Sequence, residues 1–137
     1  MKKVSILVVA AALVACTAGD EGDHISGREK VAVMAAADAG DLAAIKRLIA
    51  HYEATLGNDV LAERWRERAC DLGDAQELYY LAARRFAAAE VEDDAEIRHT
   101  LLVDAHDAAK RSHSSQPDHS TQLLVEQIAR AVKALEK

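Results

Sequence analysis

Six histidines, two cysteines and a crowded run of carboxylates are the residues of this 137-residue chain with the side-chain chemistry to hold a metal or move a proton. His99, His106 and His113 recur every seven residues. On a straight helix, seven residues rise about 10.5 Å. A zinc-type ion takes its nitrogens at about 2.1 Å, so these three rings cannot share one ion, and their pattern fits a solvated helix face. His113 and His119 lie in or beside a loop with Asp118 and can gather a metal only adventitiously. Glu90, Glu92, Asp93, Asp94 and Glu96 form an acidic turn. A general acid–base pair needs two carboxyls in a cleft with contrasting surroundings, which an exposed turn does not supply. Carboxylates at a helix start are favoured by the helix dipole, with an acidic contact patch for a basic partner as the alternative. Cys70, at helical spacing from Trp65, Ala69 and Leu72, reads as a small buried apolar residue with no His arranged to activate it. Gly-rich phosphate loops, zinc-helix motifs and nucleophile elbows do not occur. The expectation is a protein that is not an enzyme, with no cofactor and no metal.

Tyr79, Tyr80, Arg84 and Arg85 fall together on one stretch, partly off the apolar stripe of Leu78 and Leu81. Tyr and Arg supply much of the binding energy in protein interfaces. These four are the candidate partner-contacting residues.

The N-terminus carries a different chemistry. Met1-Lys2-Lys3 precedes about twelve mostly apolar residues, ending Leu13-Val14-Ala15-Cys16. Twelve helical residues rise roughly 18 Å, short of a hydrocarbon core of about 30 Å, so the segment reads as a secretion signal. Leu13-Val14-Ala15-Cys16 resembles the lipobox of bacterial lipoproteins. The resemblance implies that residues 1–15 are a signal peptide, cut before Cys16, whose thiol carries a diacylglycerol group. Two acyl chains hold firmly, at about 0.8 kcal/mol per buried methylene. Thr17 stands where an Asp would resemble an inner-membrane retention signal, which favours an outer-membrane lipoprotein facing the periplasm. Residues 16–25, polar and glycine-containing after the Cys, are expected to be the tether.

The remaining residues, 26–137, must position whatever site the protein has. Ser26-Gly27-Arg28-Glu29 matches a capping box and opens a helix expected over 27–39, stopped by Gly40. Asp41 caps a second helix with Leu42, Ile45, Leu48, Ile49 and Tyr52 on one face. Gly57 ends it. Asn58 or Asp59 caps a third, with Leu61, Trp65, Ala69 and Leu72. Gly73 ends that one, and Asp74 caps a fourth with Leu78, Leu81, Ala82 and Phe86. A turn at 91–94 leads to a fifth helix, capped by Asp93 or Asp94, with Ile97, Leu101, Leu102, Ala105 and Ala109. A loop is expected at 112–120, around the chain's one proline. A last amphipathic helix over 120–136 carries Leu124, Ile128, Ala131 and Leu135. No segment alternates with period two, so no sheet is expected.

Gly40-Asp41 and Gly73-Asp74 lie 33 residues apart, each opening a helix with apolar residues at matching offsets. This is a helix-turn-helix unit at a tetratricopeptide-like period. Gly40-Asp41, Ala44, Leu48 and Tyr52, then Ala62, Trp65 and Ala69, and the join Leu72-Gly73-Asp74-Ala75-Gln76, resemble the Sel-one-like branch of that family. The likeness covers roughly residues 37–110, good over one unit and degraded over the next. Ile49 and Ala82 stand where the branch usually has Gly, and its inter-helix loop is usually longer. The small Ala44, Ala62 and Ala69 let helices approach closely, and Trp65 is expected to fill the space between pairs. The expected fold is all-α: a short right-handed α-solenoid of antiparallel helix pairs, about six helices, with the first and last as caps.

Half of the residues are hydrophobic, 29 are Ala, and the formal charge is -6. Losing Lys2 and Lys3 with the leader makes it -8. Such a chain is not a solvated coil, and its acidity argues against nucleic acid and anionic lipid headgroups as partners. A helical-repeat surface implies another protein or peptide as partner, with the membrane reached through the lipid on Cys16. The expected function is an envelope-anchored, non-catalytic interaction or scaffold module. Small repeat lipoproteins also resemble immunity proteins that neutralise an envelope-targeted toxic effector, and acidic charge suits a basic toxin. A metal-binding protein or enzyme is the alternative of another class.

Overall fold

The structure, a computed structural model, describes residues 24–135 except Leu56. Cys16 and the expected signal peptide, residues 1–15, lie outside the described residues. Within them the chain forms six helices and no strand: α1 (Gly27–Asp38), α2 (Leu42–Glu53), α3 (Asp59–Asp71), α4 (Ala75–Val91), α5 (Ala95–Ser115) and α6 (His119–Leu135). Each helix packs on its sequence neighbour, giving an all-α helical-repeat stack in which α1 and α6 cover the ends. No described helix is long and apolar enough to cross a membrane.

Local chemistry sets the boundaries. The Ser26 hydroxyl accepts the Glu29 amide at 3.4 Å and caps α1. The Asp41 carboxylate accepts from the amides of Ala43 and Ala44, and that of Asp74 accepts from Glu77 at 2.9 Å. Asp94, not Asp93, caps α5 through Glu96 and Ile97. The two Gly-Asp turns are built identically. Gly40 has φ +93° and Gly73 φ +82°, backbone that L side chains avoid. The Asp41 amide donates to Ala36 O and Gly40 to Ala37 O. In the second turn Asp74 donates to Ala69 O and Gly73 to Cys70 O. Both are Schellman closures, in which a left-handed glycine returns two amides to the last helical carbonyls.

The turns also stack. A Cβ placed on Gly40 would meet Leu72 Cδ2 at 3.8 Å, and one on Gly73 would meet Ser115 Oγ at 3.8 Å. One end of the molecule is thus a ladder of turns: α1–α2 on α3–α4, and α3–α4 on the end of α5. The Ser112 hydroxyl reinforces it by donating to Ala75 O at 2.7 Å.

The core divides into two clusters. Ile25, Val33, Ala37, Ile45, Leu48, Ile49, Tyr52, Ala62, Trp65 and Ala69 fill the space among α1, α2 and α3. Cys70, Leu78, Ala82, Ala105, Ala108, Ala109, Leu124 and Ile128 fill that among α4, α5, α6 and the end of α3. Trp65 packs inside the first cluster, rather than at the step between helix pairs where its size suggested. The α3 stripe is rotated from the expected one: Ala62 and Cys70 are buried, while Leu61 and Leu72 are exposed. Ile97 is exposed as well.

Two boundaries move. Ile25, the last residue of the expected tether, is packed: it is 2% exposed and its amide donates to the ring Nδ1 of buried His51 at 3.2 Å. The loop expected over 112–120 shrinks to 116–118, because α5 runs to Ser115 and α6 starts at His119. Ser112 is fully buried, so its anchored side chain carries the helix through the serines. The Asp118 carboxylate accepts the Thr121 amide at 2.8 Å and opens α6 ahead of the expected start.

Candidate functional site

The helix pairs are not joined evenly. Helices α4 and α5 pack closely, as do α2 and α3, whereas the backbones of α3 and α4 approach at far fewer positions. No described Cα of α2 comes within 8 Å of one on α4. The step between the two repeat units therefore stays open as a groove of about 440 Å³. Ile49, Glu53, Arg66, Glu77, Tyr80 and Arg84 line it.

Charged side chains bridge this step where apolar packing does not. Within the first unit, Arg66 on α3 pairs with Glu53 on α2, and with Glu63 at 3.2 Å, which lines up the side of the step that α4 faces. Arg84 on α4 reaches both oxygens of Glu63, at 2.9 and 3.1 Å. Lys46 on α2 pairs with Asp74 at 2.9 Å. The hydrogen bond to Glu63 holds the Arg84 guanidinium above its ordinary pKa. Most of these groups are partly exposed, so each pair contributes little alone, up to about 1 kcal/mol. Of these pairs, Arg84–Glu63 and Lys46–Asp74 span the two units.

Glu77 breaks the pattern. It is 8% exposed, and its Oε2 has no hydrogen-bond partner among the described residues. Burial pushes its carboxyl above the ordinary range and neighbouring Asp74 adds to this, while Arg66, Lys46 and Arg84 pull it down. In a capping box the third-position Glu reaches back to the cap residue's amide. Here the Asp74 amide is already given to Ala69 O, so the turn leaves the Glu77 carboxylate without that role. The first unit has Ala44 at the same place, also buried. The architecture is thus satisfied by a methyl group where the second unit carries a charge.

The four candidate contact residues do not form one patch. Tyr80 is 49% exposed and stands on the groove rim, and Arg84 lies in the groove. Tyr79 is half-buried against the second cluster. Arg85 points the other way and pairs with Asp104 on α5. Within α4, Arg84 thus reaches α3 and Arg85 reaches α5. The two tyrosine rings meet edge-on, centroids 6.0 Å apart. Behind them is a second concavity of about 300 Å³, bordered by Tyr79, Tyr80, Ser112, Gln116, Asp118 and Thr121. Its buried hydroxyls are already engaged: Ser112 with Ala75 O, and Thr121 with Asp118 O at 3.0 Å.

The other reactive groups are structural in their settings. Burial, aided by Glu77, pushes the Cys70 thiol up to about 11, so it stays protonated and is a poor nucleophile. His113 lies within α5, not in a loop, and its Nδ1 is 2.8 Å from Thr121 Oγ1. The backbone and side chain of Thr121 hold Asp118 below the ordinary carboxylate range. Among the described residues no three His, Cys, Asp or Glu side chains gather as a metal site.

A sequence reading by residue type passes over Glu77, one acidic residue among many. Setting the two Gly-Asp starts in register exposes it, because the offset of 33 that matches Leu48 with Leu81 matches Ala44 with Glu77. A scan of protein-family models, a search of curated proteins and a search of solved structures each found no significant match to this chain.

Proposed function

We propose that this chain is a non-catalytic protein-binding module, a short helical stack held at a bacterial envelope surface by lipid on Cys16. The observation that carries the binding part is the open groove between the units, rimmed by Tyr80. Open steps between stacked helix pairs give repeat proteins their extended binding surfaces. A half-exposed Tyr beside Arg side chains is the composition of an interface anchor. The anchoring part rests on Leu13-Val14-Ala15-Cys16 and the apolar leader before it. An outer-membrane position facing the periplasm belongs to the same reading.

The test is a photo-crosslinking residue placed at Tyr80 in the full chain, expressed with its own leader in bacterial cells. A discrete crosslinked protein band is expected from Tyr80, and none from Lys110, on the exposed side of α5. No band, or equal bands from both positions, counts against the module. In parallel, Cys16→Ala should abolish incorporation of a labelled fatty acid. Incorporation that survives the substitution counts against the anchor.

An immunity role, in which the bound protein is a basic toxic effector, is a narrower form of the same proposal, favoured by the net charge of -6. It predicts that cells lacking this chain are killed by siblings that deliver the effector.

A further inference from the structure

The groove between the units is nearly balanced in charge. In and beside it, Lys46, Arg66 and Arg84 stand among Glu53, Glu63, Asp74 and Glu77, of which Arg66, Arg84, Glu53 and Glu77 line the groove itself. Each of the three cations already has a carboxylate partner. One negative charge is left over, and the unpartnered atom is Glu77 Oε2. A buried carboxylate oxygen without a donor is costly, and Ala44 shows that the repeat does not require an acid there.

The missing element is a hydrogen-bond donor carrying one positive charge. A phosphate or carboxylate guest is disfavoured, because the bases are occupied and the acids outnumber them. Beside Glu77 the groove wall is apolar at Ile49 and Ala83, and Tyr80 offers a half-exposed ring at the mouth. An apolar wall takes an aliphatic stem, and an aromatic face takes a flat cation. Of the two basic side chains, the guanidinium is planar, weakly hydrated and rich in donors, whereas an ammonium is strongly hydrated and stacks poorly.

We propose, resting on the protein-binding reading above, that this groove is a subsite for one arginine side chain of the partner, with the Glu77 carboxylate accepting its N–H donors and the Tyr80 ring lying against its plane. Oε2 is closed from water, so the guest reaches it by turning aside the exposed Gln76 and Arg84 at the rim. The overall acidity of the chain brings such a guest in.

The test is a titration of the isotopically labelled full chain with acetyl-Gly-Arg-Gly-amide, followed by amide NMR. The control peptide carries citrulline, which keeps the shape and loses the charge. Saturable shifts at Glu77, Tyr80 and Ala83 are expected, at least tenfold weaker with the citrulline peptide. Glu77→Gln should weaken the arginine peptide at least tenfold, while Glu92→Gln on the exposed turn leaves it unchanged. The citrulline arm needs no variant and so survives any folding defect of Glu77→Gln. The subsite is overturned by shifts outside the groove, by equal binding of the two peptides, or by binding that a folded Glu77→Gln retains. If it falls while Tyr80 still crosslinks, the partner docks by other means and the binding-module reading stands. If both fail, both fall.

Discussion

The two halves of the molecule solve the same packing problem differently. Around α1, α2 and α3, short helices enclose bulky side chains: Ile45, Leu48, Ile49, Tyr52 and Trp65. Around α4, α5 and α6, longer helices close on small ones: Ala82, Ala105, Ala108 and Ala109 meet, with Leu78 and Ile128 as the large fully buried residues. The first half gains its stability from area removed from water per side chain. The second gains it from the length of close backbone approach. At the seam between them both devices are sparse, with Cys70 of α3 the one described residue from the first half that joins the second cluster. Ion pairs cross it, a groove stays open, and a charge is buried where the matching position of the first unit has a methyl group.

The largest break in this contrast comes from the first half. Leu48 has no exposed surface, and Leu48→Ala is expected to cost about 3 kcal/mol. Urea unfolding monitored by circular dichroism measures it. A cost under about 1 kcal/mol would mean that the first half is not packed as described.

Small residues should be vulnerable in the opposite direction. Ala105 is fully buried between α4 and its own helix's neighbours. Ala105→Leu is expected to cost about 2 kcal/mol by overpacking. If the larger side chain is tolerated or stabilising in the same unfolding assay, the second half has slack that close helix approach does not allow.

Much of this contrast is legible in the sequence, and what is hidden has physical causes. Gly40-Asp41 and Gly73-Asp74 announce their turns, because few other pairs supply both a left-handed backbone and a capping carboxylate. The α2 stripe is legible because five large apolar residues recur at helical spacing. The α3 stripe is read half correctly: Trp65, Ala69 and Cys70 are buried as expected, but Ala62 takes the place of Leu61 and Leu72, because small residues carry little pattern. Leu72, read as core, covers the Gly40 turn instead. The end of α5 is hidden because Ser112 is a polar residue buried by one long-range hydrogen bond. Of the proposed contact set, Tyr80 and Arg84 share the groove while Arg85 does not, since adjacent helical positions point about 100° apart. Glu77 was visible only by comparing the repeat with itself.

A smaller effect tests the ladder of turns that joins the halves. Gly73→Ala places a Cβ at φ +82° with room around it, so the cost is backbone strain alone, about 1 kcal/mol. Gly27→Ala, within α1 and in open space, should be neutral or slightly stabilising. Thermal melts of the two variants separate them, and equal melting temperatures would mean that the left-handed turn is not needed.

The most direct test is the stability of Glu77→Ala, which puts the first unit's residue into the second. Burial raises the Glu77 carboxyl above its unfolded value of about 4.3, so its ionised form weighs against the folded state at neutral pH. That penalty shrinks as pH falls through the folded pKa, and it is gone once pH lies below the unfolded one. Urea unfolding at pH 7 should therefore show Glu77→Ala as stable as the wild type or better, by up to about 1 kcal/mol, with the advantage fading toward pH 4. A variant less stable than the wild type by about 1 kcal/mol or more at pH 7 would show that the fold needs this carboxylate. It would then not be held in reserve for a guest.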